Sequence, residues 1–103
     1  MELEEVVKVL KKHMADAKII IFGSRARGNA LKSSDIDMII ISKIFENMHF
    51  TDRAPYVLKI LWRNKVLPAV SIDVLCYTPN EFEKKKREIG IVREAVHYGI
   101  ELE

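Results

Sequence analysis

Two short apolar runs, separated by a polar loop that opens on glycine, constrain this chain more than any other feature. Ile19-Ile20-Ile21-Phe22 leads into Gly23-Ser24-Arg25-Ala26-Arg27-Gly28, and Ser34-Asp35-Ile36-Asp37 leads into Met38-Ile39-Ile40-Ile41. Both runs are short, rich in β-branched residues and bounded by glycine or polar residues, so they read as buried strands. Residues two apart on a strand share a face, so Asp35 and Asp37 present two carboxylates together where a hydrophobic strand begins. Like charges that close repel unless a cation lies between them. In the loop, Gly23 permits a sharp turn and close approach to a ligand, and Ser24 suits the N-cap of a short turn closed by Gly28. The free N–H groups of such a start favour a phosphate. Arg25 and Arg27 either contact that anion or hold the loop against an acid. They should diverge on so short a turn, and Arg25, next to Ser24, is the one expected to face that anion.

At these residues the chain resembles the nucleotidyltransferase superfamily that includes DNA polymerase beta and kanamycin nucleotidyltransferase, whose signature is Gly-Ser followed after a spacer by Asp-x-Asp. The family's third acid, on a later strand, corresponds to Asp73 within Ser71-Ile72-Asp73-Val74-Leu75. Thr78-Pro79-Asn80-Glu81-Phe82 and Arg93-Glu94-Ala95 extend the likeness to the minimal single-domain members called MNT proteins. The resemblance implies a metal-dependent transferase with ATP as donor and two Mg²⁺ ions held by Asp35, Asp37 and Asp73. Asp73 would also assist deprotonation of the acceptor hydroxyl, and Gly23 and Ser24 would bind the β- and γ-phosphates. It further implies a HEPN-domain partner, a toxin whose tyrosine would be adenylylated by this chain acting as its antitoxin. Two other readings remain: transfer to a small hydroxylated molecule, as in antibiotic nucleotidyltransferases, and a non-catalytic nucleotide-binding or inhibitory module. The third acid argues against the latter, since binding alone would not require it.

With 103 residues, 49% of them apolar, the chain is expected to form a single domain over 1–103, with one core and no separate acceptor-binding domain. A net charge of +2 gives no general case for nucleic-acid binding. Met1-Glu2-Leu3-Glu4-Glu5 is acidic and lacks the apolar stretch of a secretory signal, and no run approaches the ~20 apolar residues of a membrane span. The lone Cys76 has no disulfide partner in the chain and is expected to pack as a small hydrophobe, so a cytoplasmic setting is expected.

The remaining elements follow from periodicity. Leu3, Val6, Val7, Leu10 and Met14 predict an amphipathic helix over about 2–15. A connector follows at 42–50, with Phe45, Met48, His49 and Phe50 expected to pack on the core. Then comes a helix capped by Thr51 or Asp52, with Pro55 in its first turn, Val57, Ile60 and Leu61 buried, and Trp62 partly buried. A strand over 71–77 places Asp73, Leu75 and Tyr77 on one face. Thr78-Pro79-Asn80-Glu81 predicts a capping box and a helix, Lys84 to Arg87 form a basic run, and a last helical segment through Ile89, Val92, Ala95 and Val96 stops near Gly99. The expected class is α/β (α+β): a small mixed sheet flanked by helices, matching the palm-like core that the resemblance implies. A partner is expected to dock beside the Asp73 strand, on the 43–50 connector and the Lys84 to Arg87 face.

Overall fold

The structure, a computed structural model, describes residues 3–22, 36–66, 72–87 and 100–102. In chain order these form α1 (Leu3–His13), β1 (Lys18–Phe22), β2 (Ile36–Ile41), a 3₁₀ turn (Lys43–Asn47), α2 (Phe50–Arg63), β3 (Ile72–Tyr77), α3 (Pro79–Lys85) and β4 (Ile100–Leu102). The expected helix near residues 89–96 lies outside the described residues.

The sheet is mixed, with spatial order β3-β2-β1-β4. β1 runs antiparallel to both β2 and β4, while β2 and β3 are parallel. A parallel pair needs a crossover, and α2 supplies it. β2 is central and buried on both faces, which is why Met38, Ile39, Ile40 and Ile41 form an unbroken apolar run rather than an alternating one. β4 was not expected: three residues carry too little pattern to announce a strand, and only the open edge of β1 recruits them.

Two apolar clusters sandwich the sheet. On one face Ile19, Ile21, Met38, Ile40 and Cys76 meet Val6, Val7, Leu10 and Met14 of α1 and Val57, Ile60 and Leu61 of α2. On the other, Ile20, Ile39, Ile41 and Tyr77 form a smaller cluster with Leu75 and Phe82 packed against it. Each large side chain so buried contributes about 1.5–3 kcal/mol, so the α1–α2 layer supplies most of the stabilisation that fixes the strands. Phe45 of the connector is fully buried in the larger cluster, closing that layer from the far side.

Three local expectations are corrected. α2 starts earlier than Thr51 or Asp52: His49 is the N-cap, its side chain accepting from the Thr51 N–H. Pro55 therefore lies inside the helix rather than in its first turn, where it removes one backbone bond to the Thr51 carbonyl. Trp62, expected to be partly buried, is 70% exposed. The stripe at Val57, Ile60 and Leu61 already faces the sheet, which turns position 62 outward.

Candidate active site

Asp37 and Asp73 are second in their strands and are direct register partners across the parallel β2–β3 pair. Both fall in the alternation that sends Ile39, Ile41, Leu75 and Tyr77 to the smaller cluster, so both carboxylates belong to the face away from α1 and α2. Neighbouring strands lie ~4.8 Å apart, a separation that one or two cations can bridge with carboxylate oxygens. Asp73 is exposed and Asp37 intermediate, so a solvent-borne ligand can reach the pair. Phe22, the last residue of β1, is the register partner of Asp37. The end of β1 and the starts of β2 and β3 therefore share one end of the sheet, hereafter the aspartate end.

Gly23, Ser24, Arg25 and Asp35 lie outside the described residues. Among those described, no group of three His, Cys, Asp or Glu side chains stands together. What the described residues offer a divalent cation is the Asp37–Asp73 pair, two hard oxygen donors that suit Mg²⁺ better than a softer metal.

The opposite end of the sheet has a different chemistry. Asp16 accepts from the Ser42 hydroxyl at 2.7 Å and from the Lys43 N–H at 2.8 Å. The Lys43 N–H first and the Ser42 hydroxyl next hold its pKa below the ordinary value of 3.8. Thr78 and Glu81 form the expected capping box, with the Glu81 N–H donating to the Thr78 hydroxyl at 3.2 Å and the Thr78 N–H to the Glu81 carboxylate at 2.9 Å. Arg53, buried on α2, forms an ion pair with the same carboxylate and donates to the carbonyls of Cys76 at 3.3 Å and Met48 at 3.4 Å. Its guanidinium also lies 5.9 Å from the Phe45 ring centroid and 5.5 Å from that of Phe50. Arg53 thus ties α2, β3 and α3 together, a role the sequence reading missed. The available signal was a cation at position 53, on the 53-57-60 stripe that is otherwise apolar.

Arg53 is also the main reason Glu81 stays ionised below its ordinary value of 4.5. Cys76 packs as expected, and burial pushes its thiol up to about 12, so it remains protonated and unreactive at neutral pH. A cavity of about 220 Å³ opens at this same end, between Lys18, Ile41, Phe82 and Lys86, and neither Asp37 nor Asp73 lines it.

The expected docking surface is only partly available. Of the connector's large apolar residues, Phe45 is buried, Ile44 and Met48 pack against the core, and Phe50 is exposed. In the basic run, Lys86 pairs with Glu83 at 2.8 Å.

Residues 2–98 match the nucleotidyltransferase domain family, and the chain belongs to it. The chain is 27% identical, over 99% of its length and all of the relative's, to a Methanocaldococcus jannaschii protein named "putative protein adenylyltransferase". Among solved structures, one described as a "putative nucleotidyltransferase" from Sulfolobus solfataricus superposes with a TM-score of 0.63 at 24% identity, over 97% of this chain and 75% of that one. A second structure described in the same words gives a TM-score of 0.56 at 26% identity, over 82% of this chain and 87% of that one. BolA1 of Arabidopsis thaliana also shares the fold, with a TM-score of 0.61 at 20% identity, over 79% of this chain and 95% of that one. That last likeness is instructive: the backbone architecture alone does not define the chemistry, so the assignment to nucleotidyltransferases rests on the family match.

Proposed function

We propose that this nucleotidyltransferase transfers AMP from ATP to a hydroxyl of a partner protein, a tyrosine on a HEPN-type toxin, and so acts as that toxin's antitoxin. The observation that carries the catalytic half of this reading is the in-register, same-face pairing of Asp37 with Asp73. The protein-acceptor half is supported by the relative named for protein adenylylation, which matches over its full length.

In the reaction, the acceptor oxygen forms a bond to the α-phosphorus, the bond from that phosphorus to the bridging oxygen breaks, and pyrophosphate leaves. Asp73, exposed at the start of β3, accepts the hydroxyl proton or directs the hydroxyl lone pair at phosphorus. Asp35, Asp37 and Asp73 would hold the Mg²⁺ that the family uses; when bound, the metal would supply charge neutralisation to the entering and leaving oxygens. By the family resemblance, the Gly23 backbone and Ser24 hydroxyl would hold the β- and γ-phosphates, with Arg25 as a further cation for them. Positioning and charge neutralisation then supply most of the acceleration, as is general for phosphoryl transfer.

The test is incubation of the pure protein with labelled ATP, Mg²⁺ and the product of the neighbouring reading frame. The expected result is a mass gain of one adenylyl group on a tyrosine of that product, absent with Asp73→Asn. Saturable transfer by the isolated chain to a small-molecule alcohol would overturn the protein-acceptor reading and favour the antibiotic-type one.

A further inference from the structure

The C-terminal half of α2 and its closure carry an exposed aromatic residue and three exposed cations. Trp62 is 70% exposed and is the chain's only tryptophan. Lys59, one turn earlier on the same helix surface, and Arg63, Asn64 and Lys65 around it are all exposed. Among the described residues no carboxylate pairs with Lys59, Arg63 or Lys65. Burying a tryptophan would normally be worth several kcal/mol, so a tryptophan held in water beside three cations points to a surface that something else covers.

A second, independent observation lies in the backbone. The Lys65 N–H donates to the Trp62 carbonyl and the Val66 N–H to the Leu61 carbonyl, each at 3.1 Å, which is the Schellman closure of a helix. The residue in the left-handed position of that closure is usually glycine, but here it is Lys65, with φ 58°. A side chain there opposes the fold's own preference, and the lysine adds a cation to the patch.

Position supplies the third element. Because α2 connects two parallel strands, it carries the chain from the end of β2 back to the start of β3, so its C-terminal turn lies at the aspartate end. The Lys84 to Arg87 run lacks an aromatic residue and includes the Lys86–Glu83 pair, so it is the poorer candidate.

We infer that Lys59, Trp62, Arg63 and Lys65 form the docking surface for an acidic face of the acceptor protein, with Trp62 as its buried anchor. The inference rests on the protein-acceptor reading above. Tryptophan and arginine are the residues in which interface energy concentrates, and unpaired cations at the rim speed encounter with an acidic partner. A protein occupant is favoured over nucleic acid because the chain's net charge is only +2, without the broad basic field that polyphosphate binding uses.

The test uses Trp62 fluorescence in the intact protein, excited where tyrosine does not absorb, during titration with an acidic copolymer of glutamate and tyrosine. The expected result is a saturable, salt-sensitive blue shift. Trp62→Ala, followed by competition against labelled copolymer, should weaken binding about thirtyfold. Lys59→Glu with Arg63→Glu should weaken it at least tenfold, while Lys84→Glu with Arg87→Glu leaves it unchanged. Lys65→Gly is the decisive variant: it should raise Tm while weakening binding several-fold, a combination that a purely structural lysine would not give. The inference is overturned if the spectrum does not move or the α2 variants bind as wild type does. It is also overturned if oligoadenylate of matched charge shifts the spectrum at lower concentration than the copolymer, which would make the surface a nucleic-acid platform. Transfer of label from ATP to copolymer tyrosines is read separately. Binding through Trp62 without transfer supports the docking surface and counts against the protein-adenylylation reading alone.

Discussion

The two ends of the sheet handle charge in opposite ways. At the far end, Asp16 and Glu81 each receive two or more donors from their own fold, and the buried Arg53 is matched by a carboxylate and two carbonyls. At the aspartate end, the fold instead sets Asp37 and Asp73 side by side in register, two charges of one sign on adjacent strands. The first arrangement stabilises the protein as it stands, whereas the second sets two like charges where a cation could bridge them. Polar residues at the far end therefore serve stability, and those at the aspartate end are the ones the proposed reaction would use.

That contrast predicts opposite responses to mutation, the largest being on activity. Asp37→Asn or Asp73→Asn should lower transfer by about 10³-fold or more, equivalent to ~4 kcal/mol of transition-state stabilisation. The metal-free Tm should stay level or rise, because a repulsion is removed. Nucleotidyl-transfer rates and thermal melts with and without Mg²⁺ measure both; a clear drop in the metal-free Tm would make these residues structural and erase the contrast.

At the far end the effect should fall on stability. Arg53→Ala strands the Glu81 carboxylate and the Cys76 and Met48 carbonyls and opens a gap between Phe45 and Phe50. Loss of about 2–4 kcal/mol is expected, toward the lower part because Glu81 remains 42% exposed to water. Urea unfolding measures it, and ATP–Mg²⁺ affinity of the folded variant should change little. Thr78→Ala removes one arm of the capping box and should cost about 1 kcal/mol in the same assay.

Acid should reveal the smallest difference. Asp16 and Glu81 both have pKa values depressed by folding, so their stabilisation is fully present above their ordinary values of 3.8 and 4.5. It is lost as pH falls through the lower values they take in the fold. Stability should therefore decline from about pH 4.5 downward, and Asp16→Asn should flatten part of that decline while lowering stability at neutral pH. A wild-type profile already flat down to pH 2 would mean that the far-end donors do not discriminate the charged form.

The legibility of the chain follows the reach of each interaction. β1, the apolar run of β2, β3 and α1 were readable because burial imposes a period on neighbouring residues, and Thr78 to Glu81 because both partners of a capping box lie within one turn. Same-face placement of Asp73 with Leu75 and Tyr77 is likewise a property of a single strand. Four outcomes needed residues far apart in the chain. The β2–β3 register decided that Asp37 meets Asp73 directly rather than a neighbour two residues away. The open edge of β1 recruited Ile100–Leu102. The junction of α2, β3 and α3 made Arg53 a buried tie. The sheet-facing stripe of α2 left Trp62 in water, against the expectation from its size. Sequence by itself determined which residues could be strands, caps and candidate ligands, because those choices are made over two to four residues. Tertiary structure decided which of them face one another, since register and helix rotation are set only when distant apolar faces close on a common core.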